Sequence, residues 1–301
     1  MKSKNDAIFQ AIIYVLTTLV CVVALYPLIY VISASFSNPV RILNGDVVLW
    51  PVEFTVASYQ RVFASSDILT GYRNTLIYTI TGTTLNMVAT IMAAYPLSLP
   101  DLKGKNALTF FITFTMFFGA GMIPNYLNLK TLGLLNNPLV VILPGAINVS
   151  NMLIMRNYFI NSVPAAMREA ASIDGASPMA VMLRIVLPLS KSILIVIILY
   201  YMVGHWNSYF SAMMYLSRRR DLQPLQVFLR EILTIGKMAE ASFASGEVMS
   251  AEQASALLKQ VDTANMIKYA VIVLASAPMM VIYPWLQKYF AKGVMIGSVK
   301  G

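Results

Sequence analysis

The residues that ordinarily make and break bonds are sparse in this sequence. His205 is the one histidine and Cys21 the one cysteine, far apart along the chain. Together they cannot build a zinc site, and a lone cysteine excludes a disulfide framework. The pairs Gly104-Lys105 and Gly236-Lys237 lack the upstream glycine and the following Ser or Thr of a phosphate-cradling loop. No paired carboxylates lie in the apolar stretches for acid–base work. What remains is binding chemistry. Trp206, Asn207 and Tyr209 join aromatic faces to an amide within one predicted helical turn, and Asn148, Asn151 and Asn86 are further amides in apolar surroundings. Polar groups so placed either meet a polar solute or hydrogen-bond a neighbouring helix.

The elements that must position these groups follow from composition. Of 301 residues, 58% are apolar and 12% charged, with 22 Lys and Arg, 13 Asp and Glu and a formal net charge of +9. Soluble domains run at roughly 45–50% apolar and about 25% charged. So few charges cannot cover a soluble globule of this size, and the chain reads as an all-α, polytopic membrane protein. Its basic residues are dispersed between apolar blocks. That pattern speaks against nucleic-acid binding and fits Lys and Arg flanking membrane spans. Hydrocarbon cannot satisfy backbone polar groups, so each span must be a helix of about 20 mostly apolar residues. Runs of at least nineteen residues without Asp, Glu, Lys or Arg occur at 7–40, 74–100, 106–129, 131–155, 192–217 and 269–287. Six transmembrane helices are predicted, at about 10–33, 74–99, 106–128, 136–157, 191–216 and 267–287, within one domain covering 1–301.

Six spans put both termini on one side. That side includes the turn 101–105 and the segment 156–191. It holds half of the 22 basic residues at the higher density, and of the 13 acids only Asp6, Asp101, Glu169 and Asp174. The positive-inside bias makes it the cytoplasmic side. The first run carries Tyr26 and Pro27 well inside it and outlasts a signal-peptide core of about 7–15 residues, so it reads as a retained helix. An external loop, 218–266, contains Arg218-Arg219-Arg220 and a helix-forming stretch around Ala251–Leu258.

The cytoplasmic loop 160–190 has structure written into it. Ser162 followed by Pro164 signals a helix start, and Ala165 to Ile173 is rich in helix formers. Asp174-Gly175 stops that helix, because glycine accepts the left-handed conformation. Ser177-Pro178 caps a second helix, from Met179 to about Val186, and Leu187-Pro188 breaks it. Met167, Ala170, Ala171 and Asp174 share one face; Met179, Met182, Leu183 and Val186 share another. A hairpin of this size cannot bury both faces within itself. It must dock on another protein, on the chain's own helix ends or on lipid headgroups.

Glu169-Ala170-Ala171-Ser172-Ile173-Asp174-Gly175-Ala176, followed by Ile185-Val186-Leu187-Pro188, closely resembles the EAA loop of the membrane-spanning subunits of binding-protein-dependent ABC importers. Both halves of that signature stand at the family's separation. His205-Trp206-Asn207-Ser208-Tyr209-Phe210 resembles the W-N-x-Y/F stretch of the carbohydrate, maltose-permease-like branch. The ending Lys292 to Gly301 resembles the glycine-rich tail of one subunit of the permease pair. This ending and the layout look most like permeases for complex oligosaccharides and polysaccharide fragments. Two departures stand out. Ser192 replaces a frequent proline after the L-P pair. Pro96 and Leu99 stand where the branch's Y-A-x-S-R pattern has alanine and arginine, so no role of that arginine carries over.

The resemblance implies a type I ABC importer permease fold in a bacterial plasma membrane, forming half of a carbohydrate pathway. It implies a second, related permease, two ATPase subunits that bind the ATP and Mg, and an extracellular solute-binding protein against which the 218–266 loop rests. This chain itself would bind no cofactor and catalyse no reaction. The hairpin becomes a coupling helix in a groove of the ATPase. Glu169 anchors to a basic residue there, Ala170 and Ala171 permit close approach, and Asp174, Gly175 and Ala176 make the turn. Met179 and Met182 are adaptable apolar contacts, and Ile185, Leu187 and Pro188 close the motif. Trp206, Asn207, Tyr209, Asn148, Asn151 and Asn86 become solute-pathway candidates, since aromatic faces and amides match sugar rings and hydroxyls.

An ion-coupled secondary carrier is the first alternative and an importer permease for a non-sugar solute the second. Carriers usually keep ionisable residues in their spans, whereas His205 is the one side chain of the six runs that titrates near neutral pH. Uptake is expected to stop on ATP depletion with the proton gradient intact; uptake that persists until the gradient is collapsed would favour the carrier.

Overall fold

The computed structural model describes residues 4–244 and 251–298. The structure is 79% helical, without strands among the described residues. In chain order the longer elements are α1 (Lys4–Ser35), α2 (Ser66–Ser98), α3 (Lys105–Phe117), α4 (Met122–Thr131), α5 (Val149–Ser162), α6 (Ala165–Ile173), α7 (Pro178–Leu189), α8 (Lys191–Trp206), α9 (Leu225–Ala244) and α10 (Ala251–Ser298).

α1, α2 and α10 each hold a stretch long and apolar enough to cross a membrane alone. The pairs α3 with α4 and α7 with α8 do so together, bent by 113° and 85°. The uninterrupted spans expected at 106–128 and 136–157 are therefore broken. The first breaks at Phe118-Gly119-Ala120-Gly121. The second is divided into Leu139–Ile142 and α5 around Pro144, which has no N–H to continue a helix. Runs without charge measure hydrocarbon thickness and do not record where the backbone bends. In the other direction, Lys259, Asp262 and Lys268 interrupt the apolar run but not the helix. α9 and the first turns of α10 thus fill much of the predicted external loop.

Contacts divide the chain into two compact units: residues up to Leu69 with Phe228–Ala277, and Thr70–Val227 with the stretch from Pro278. In the first unit α1 exposes apolar side chains along its length, a surface suited to lipid. Tyr30 of α1 meets Tyr269 of α10 edge to face, with ring centres 5.8 Å apart. Beyond α1, Arg41 pairs with Glu53 at 2.6 Å and with Asp46 at 3.4 Å. Its hydrogen bonds hold the Glu53 carboxyl below the usual range.

In the second unit, Met152, Met155 and Phe159 of α5 are fully buried. Around them pack Tyr95 and Leu97 of α2, Met182 and Val186 of α7 and Ile197 of α8. The buried face of α2 is lined by Thr75, Thr79, Thr83, Asn86 and Thr90, small or polar residues that let spans approach closely. At Gly82 the approach is tightest: an added Cβ would lie 2.8 Å from Nδ1 of His205 and nearer still to the rest of that ring. Gly82→Leu is expected to destabilise the chain by about 1–3 kcal/mol through overpacking, read as a lower unfolding temperature in detergent; Val88→Leu, on the exposed face of α2, is expected to leave it unchanged.

Candidate functional site: the α6–α7 hairpin

Ser162 ends α5 instead of capping α6, whose N-cap position is taken by Pro164 without a side-chain bond. The stop after α6 is built as expected. The Ala176 N–H donates to Ala171 O at 2.9 Å, the Gly175 N–H donates to Ser172 O at 3.1 Å, and Gly175 has a φ of 76°. This paired reversal satisfies the last carbonyls of α6, and a side chain at that φ is strained. Ser177 Oγ accepts the Ala180 N–H at 3.2 Å, with Pro178 in the first turn of α7.

α7 is irregular. Met182–Val186 forms a π-helical turn just ahead of Pro188. Pro188 has no N–H for the Arg184 carbonyl and its ring would crowd that oxygen, so the helix widens instead of breaking. The helix break expected at Leu187-Pro188 comes at Ser190, where the chain bends by 85° into α8.

The side chains of α7 divide between two sides. Met179 and Leu183 are 55% and 54% exposed, while Met182 is 7% exposed and Val186 1%. Met182, expected on the docking face, packs into the chain's own core. Ile185 and Leu187 lie half-buried against that core, and Pro188 is exposed. On α6 and its turn, Glu169, Ala170, Asp174 and Gly175 are exposed, whereas Ala171 and Ala176 rest partly on the core. The spacing argument passed over Ile173, yet at 87% it is the most exposed large apolar side chain among the described residues. Its signal was an isoleucine beside a polar turn, off the face that helical periodicity selects. Between α6 and the end of α2 lies a cleft of about 850 Å³, lined by Tyr95, Asp101, Arg168, Glu169, Ile173 and Val181 among others. Nη1 of Arg168 is buried without a hydrogen-bond partner.

The solute-pathway candidates separate. α8 ends at Trp206, and residues 207–209 lie outside helix, so Trp206, Asn207 and Tyr209 do not share a turn. Trp206 is 2% exposed, its ring edge-on to Tyr72 at 5.9 Å. Asn207 closes α8, donating from Nδ2 to Val203 O at 3.0 Å, and Tyr209 is 39% exposed. Asn148 caps α5, its Oδ1 accepting the N–H of the buried Asn151 at 3.1 Å. The Asn148 N–H in turn donates to Tyr201 Oη at 3.1 Å, and the same hydroxyl bonds Thr90 at 2.6 Å. Tyr201, which the sequence reading missed, thus ties α2, α5 and α8 together. Asn86 is 4% exposed, and its Oδ1 lacks a partner, as do the hydroxyls of Thr79 and Thr83 on the same face.

Helices of membrane-crossing length and an apolar-tipped hairpin between α5 and α8 are the features of a known class: the chain belongs to the permease subunits of carbohydrate ABC importers. It is 36% identical over 297 residues to the polygalacturonan/rhamnogalacturonan transport system permease protein YtcP of Bacillus subtilis (strain 168), covering 99% of this chain and 100% of that one. Protein LplC of the same organism is 37% identical over 279 residues, covering 93% of this chain and 90% of its own. A crystal structure of a bacterial ABC transporter involved in the import of the acidic polysaccharide alginate contains a chain that matches with a TM-score of 0.84 at 36% identity. That match covers 96% of this chain and 99% of that one. No family model matches the sequence.

Tyr201→Phe removes the hydroxyl shared by three helices and keeps the ring. It is expected to destabilise the chain by about 1–2 kcal/mol, measured as a lower unfolding temperature of the purified protein; an unchanged value would show that the bonds contribute nothing net.

Proposed function

We propose that this chain forms half of the translocation pathway of an ATP-driven importer for an oligosaccharide, an acidic polysaccharide fragment by analogy with the relatives named for polygalacturonan and alginate. Its partners are a second, related permease, two ATPase subunits holding ATP and Mg, and an extracellular solute-binding protein. The chain binds no cofactor itself, and both termini face the cytoplasm.

The observation that carries this reading is the hairpin. One side of it is fixed to the core through Val181, Met182 and Val186. The other presents Glu169, Ile173, Met179 and Leu183 outward. Exposed apolar side chains around a charged one, on a turn locked by Gly175, need a covering surface. In this reading the ATPase groove supplies it, Glu169 meeting a basic residue and Ile173 with Met179 filling apolar sockets. Closure of the ATPase pair moves the hairpin. α5 and α8, continuous with its two ends, follow, and the pathway passes between outward-open and inward-open packings. Asn86, whose Oδ1 is buried without a partner, is the candidate amide with an acceptor still to satisfy, which a solute hydroxyl would do once the pathway opens.

The test is to co-purify the chain with its genomic neighbours and measure ATPase stimulation by the binding protein loaded with neutral and acidic oligosaccharides. Glu169→Arg and Gly175→Trp are expected to abolish transport and stimulation while the chain still inserts. Normal stimulation in both variants would overturn the coupling role.

A further inference from the structure

The hairpin is joined covalently to α5 and α8, but a part-buried hydrogen bond ties it to a third helix. Tyr95, 6% exposed near the end of α2, donates from Oη to Pro178 O at 3.0 Å. Pro178 stands in the first turn of α7, immediately before the π-helical turn. Two residues on, Leu97 O accepts from Arg156 Nε of α5 at 2.9 Å.

The opposite end of α2 is held as firmly. Asn74, 5% exposed, donates from Nδ2 to Asp221 O at 2.8 Å and to Gln223 O at 3.0 Å. Thr75 Oγ1 accepts the Leu225 N–H at 2.9 Å, and Tyr78 Oη donates to Leu222 O at 2.8 Å. Three side chains of one helical turn thus grip the turn 221–225. At about 1.5 Å per residue, Asn74 and Tyr95 are roughly 32 Å apart along the axis, close to the hydrocarbon thickness of about 30 Å. α2 runs unbroken between them.

We infer that α2 is a strut that transmits the state of the 221–225 turn on one membrane face to the coupling hairpin on the other, with Tyr95 and Asn74 as its positioning residues. This rests on the reading proposed above. A hairpin displaced by the ATPase must either break this part-buried bond between the Tyr95 hydroxyl and the Pro178 carbonyl, at the wall of the cleft between α6 and α2, or carry α2 with it. Parting the two helices would also strip the buried Tyr95 and Leu97 from Met182 and Val186, so separation is the costlier course. Linkage makes the coupling reciprocal: a binding protein that shifts the 221–225 turn biases the hairpin, and hence ATP hydrolysis.

Tyr95→Phe and Asn74→Ala remove polar contacts at the two ends of one rod. In the full complex reconstituted in nanodiscs, each is expected to lower the stimulation of ATPase activity by solute-loaded binding protein about fivefold. Basal hydrolysis is expected to stay unchanged, and the double variant to resemble either single one. Wild-type stimulation in the variants overturns the strut. So does a parallel fall of basal rate, assembly and melting temperature with the stimulation ratio preserved, which is the mark of a merely structural role. Should one variant fail to assemble, the other decides. A wild-type complex that is not stimulated removes the proposed function itself. A stimulated wild type, silent Glu169→Arg and normal Tyr95→Phe and Asn74→Ala remove the strut alone.

Discussion

Hydrocarbon offers the backbone no hydrogen-bond partner, and every departure from helix in this chain has to answer that constraint. The answers are local and specific. Asn148 caps the start of α5 after the Pro144 break. The Ser190 N–H reaches Val186 O and Leu187 O at the bend before α8. Asn207 closes α8 with both its main-chain N–H and its side-chain amide on Val203 O. Amides that look like ligands for a polar solute in a bare sequence are thus partly engaged in finishing helices. Asn86, which finishes nothing, stands apart from them.

The same logic divides the sequence motif of the hairpin into two kinds of work. Its first half, Glu169 to Ala176, makes a surface: a short helix, a glycine-locked reversal and an exposed isoleucine at the tip. Its second half, Ile185 to Pro188, makes a joint. The proline follows a wider turn, along which Met182 and Val186 face inward and Met179 and Leu183 outward. Surface and joint together allow a small hairpin to be rigid where it meets the bundle and adhesive where it leaves it.

What could be read without coordinates was whatever is decided within a few residues. The Gly175 stop and the Ser177 cap follow from local backbone chemistry and stand where the residues place them. Apolar runs show where helices pass through a membrane, since length and charge suffice for that. The breaks inside the third and fourth runs were hidden, because a glycine pair or a proline in a span is tolerated as often as it is decisive. Ser162 resembled a cap and is the last residue of α5, which had simply run on. Met182 was assigned to the docking face by spacing and lies in the interior, and Trp206 was expected to share a helical turn with Asn207 and Tyr209 and does not. Met182 sits on the side of α7 that packs on the core, which spacing within the hairpin alone does not reveal, and the helix of Trp206 ends at that residue. Tyr201 was invisible because its role exists only once α2, α5 and α8 are side by side.

The widened turn has a consequence for how this segment can vary. A π-helical turn is in effect one residue added to a helix, and each residue of an α-helix advances the chain by about 100°. Losing a single position between Met182 and Val186 would let the turn close as ordinary α-helix, with Met179 and the reversal keeping nearly their present facing, whereas adding a further residue there would swing them about a quarter of a revolution relative to α8. The segment therefore holds one residue in reserve, so that a single deletion there should be borne more readily than a single insertion.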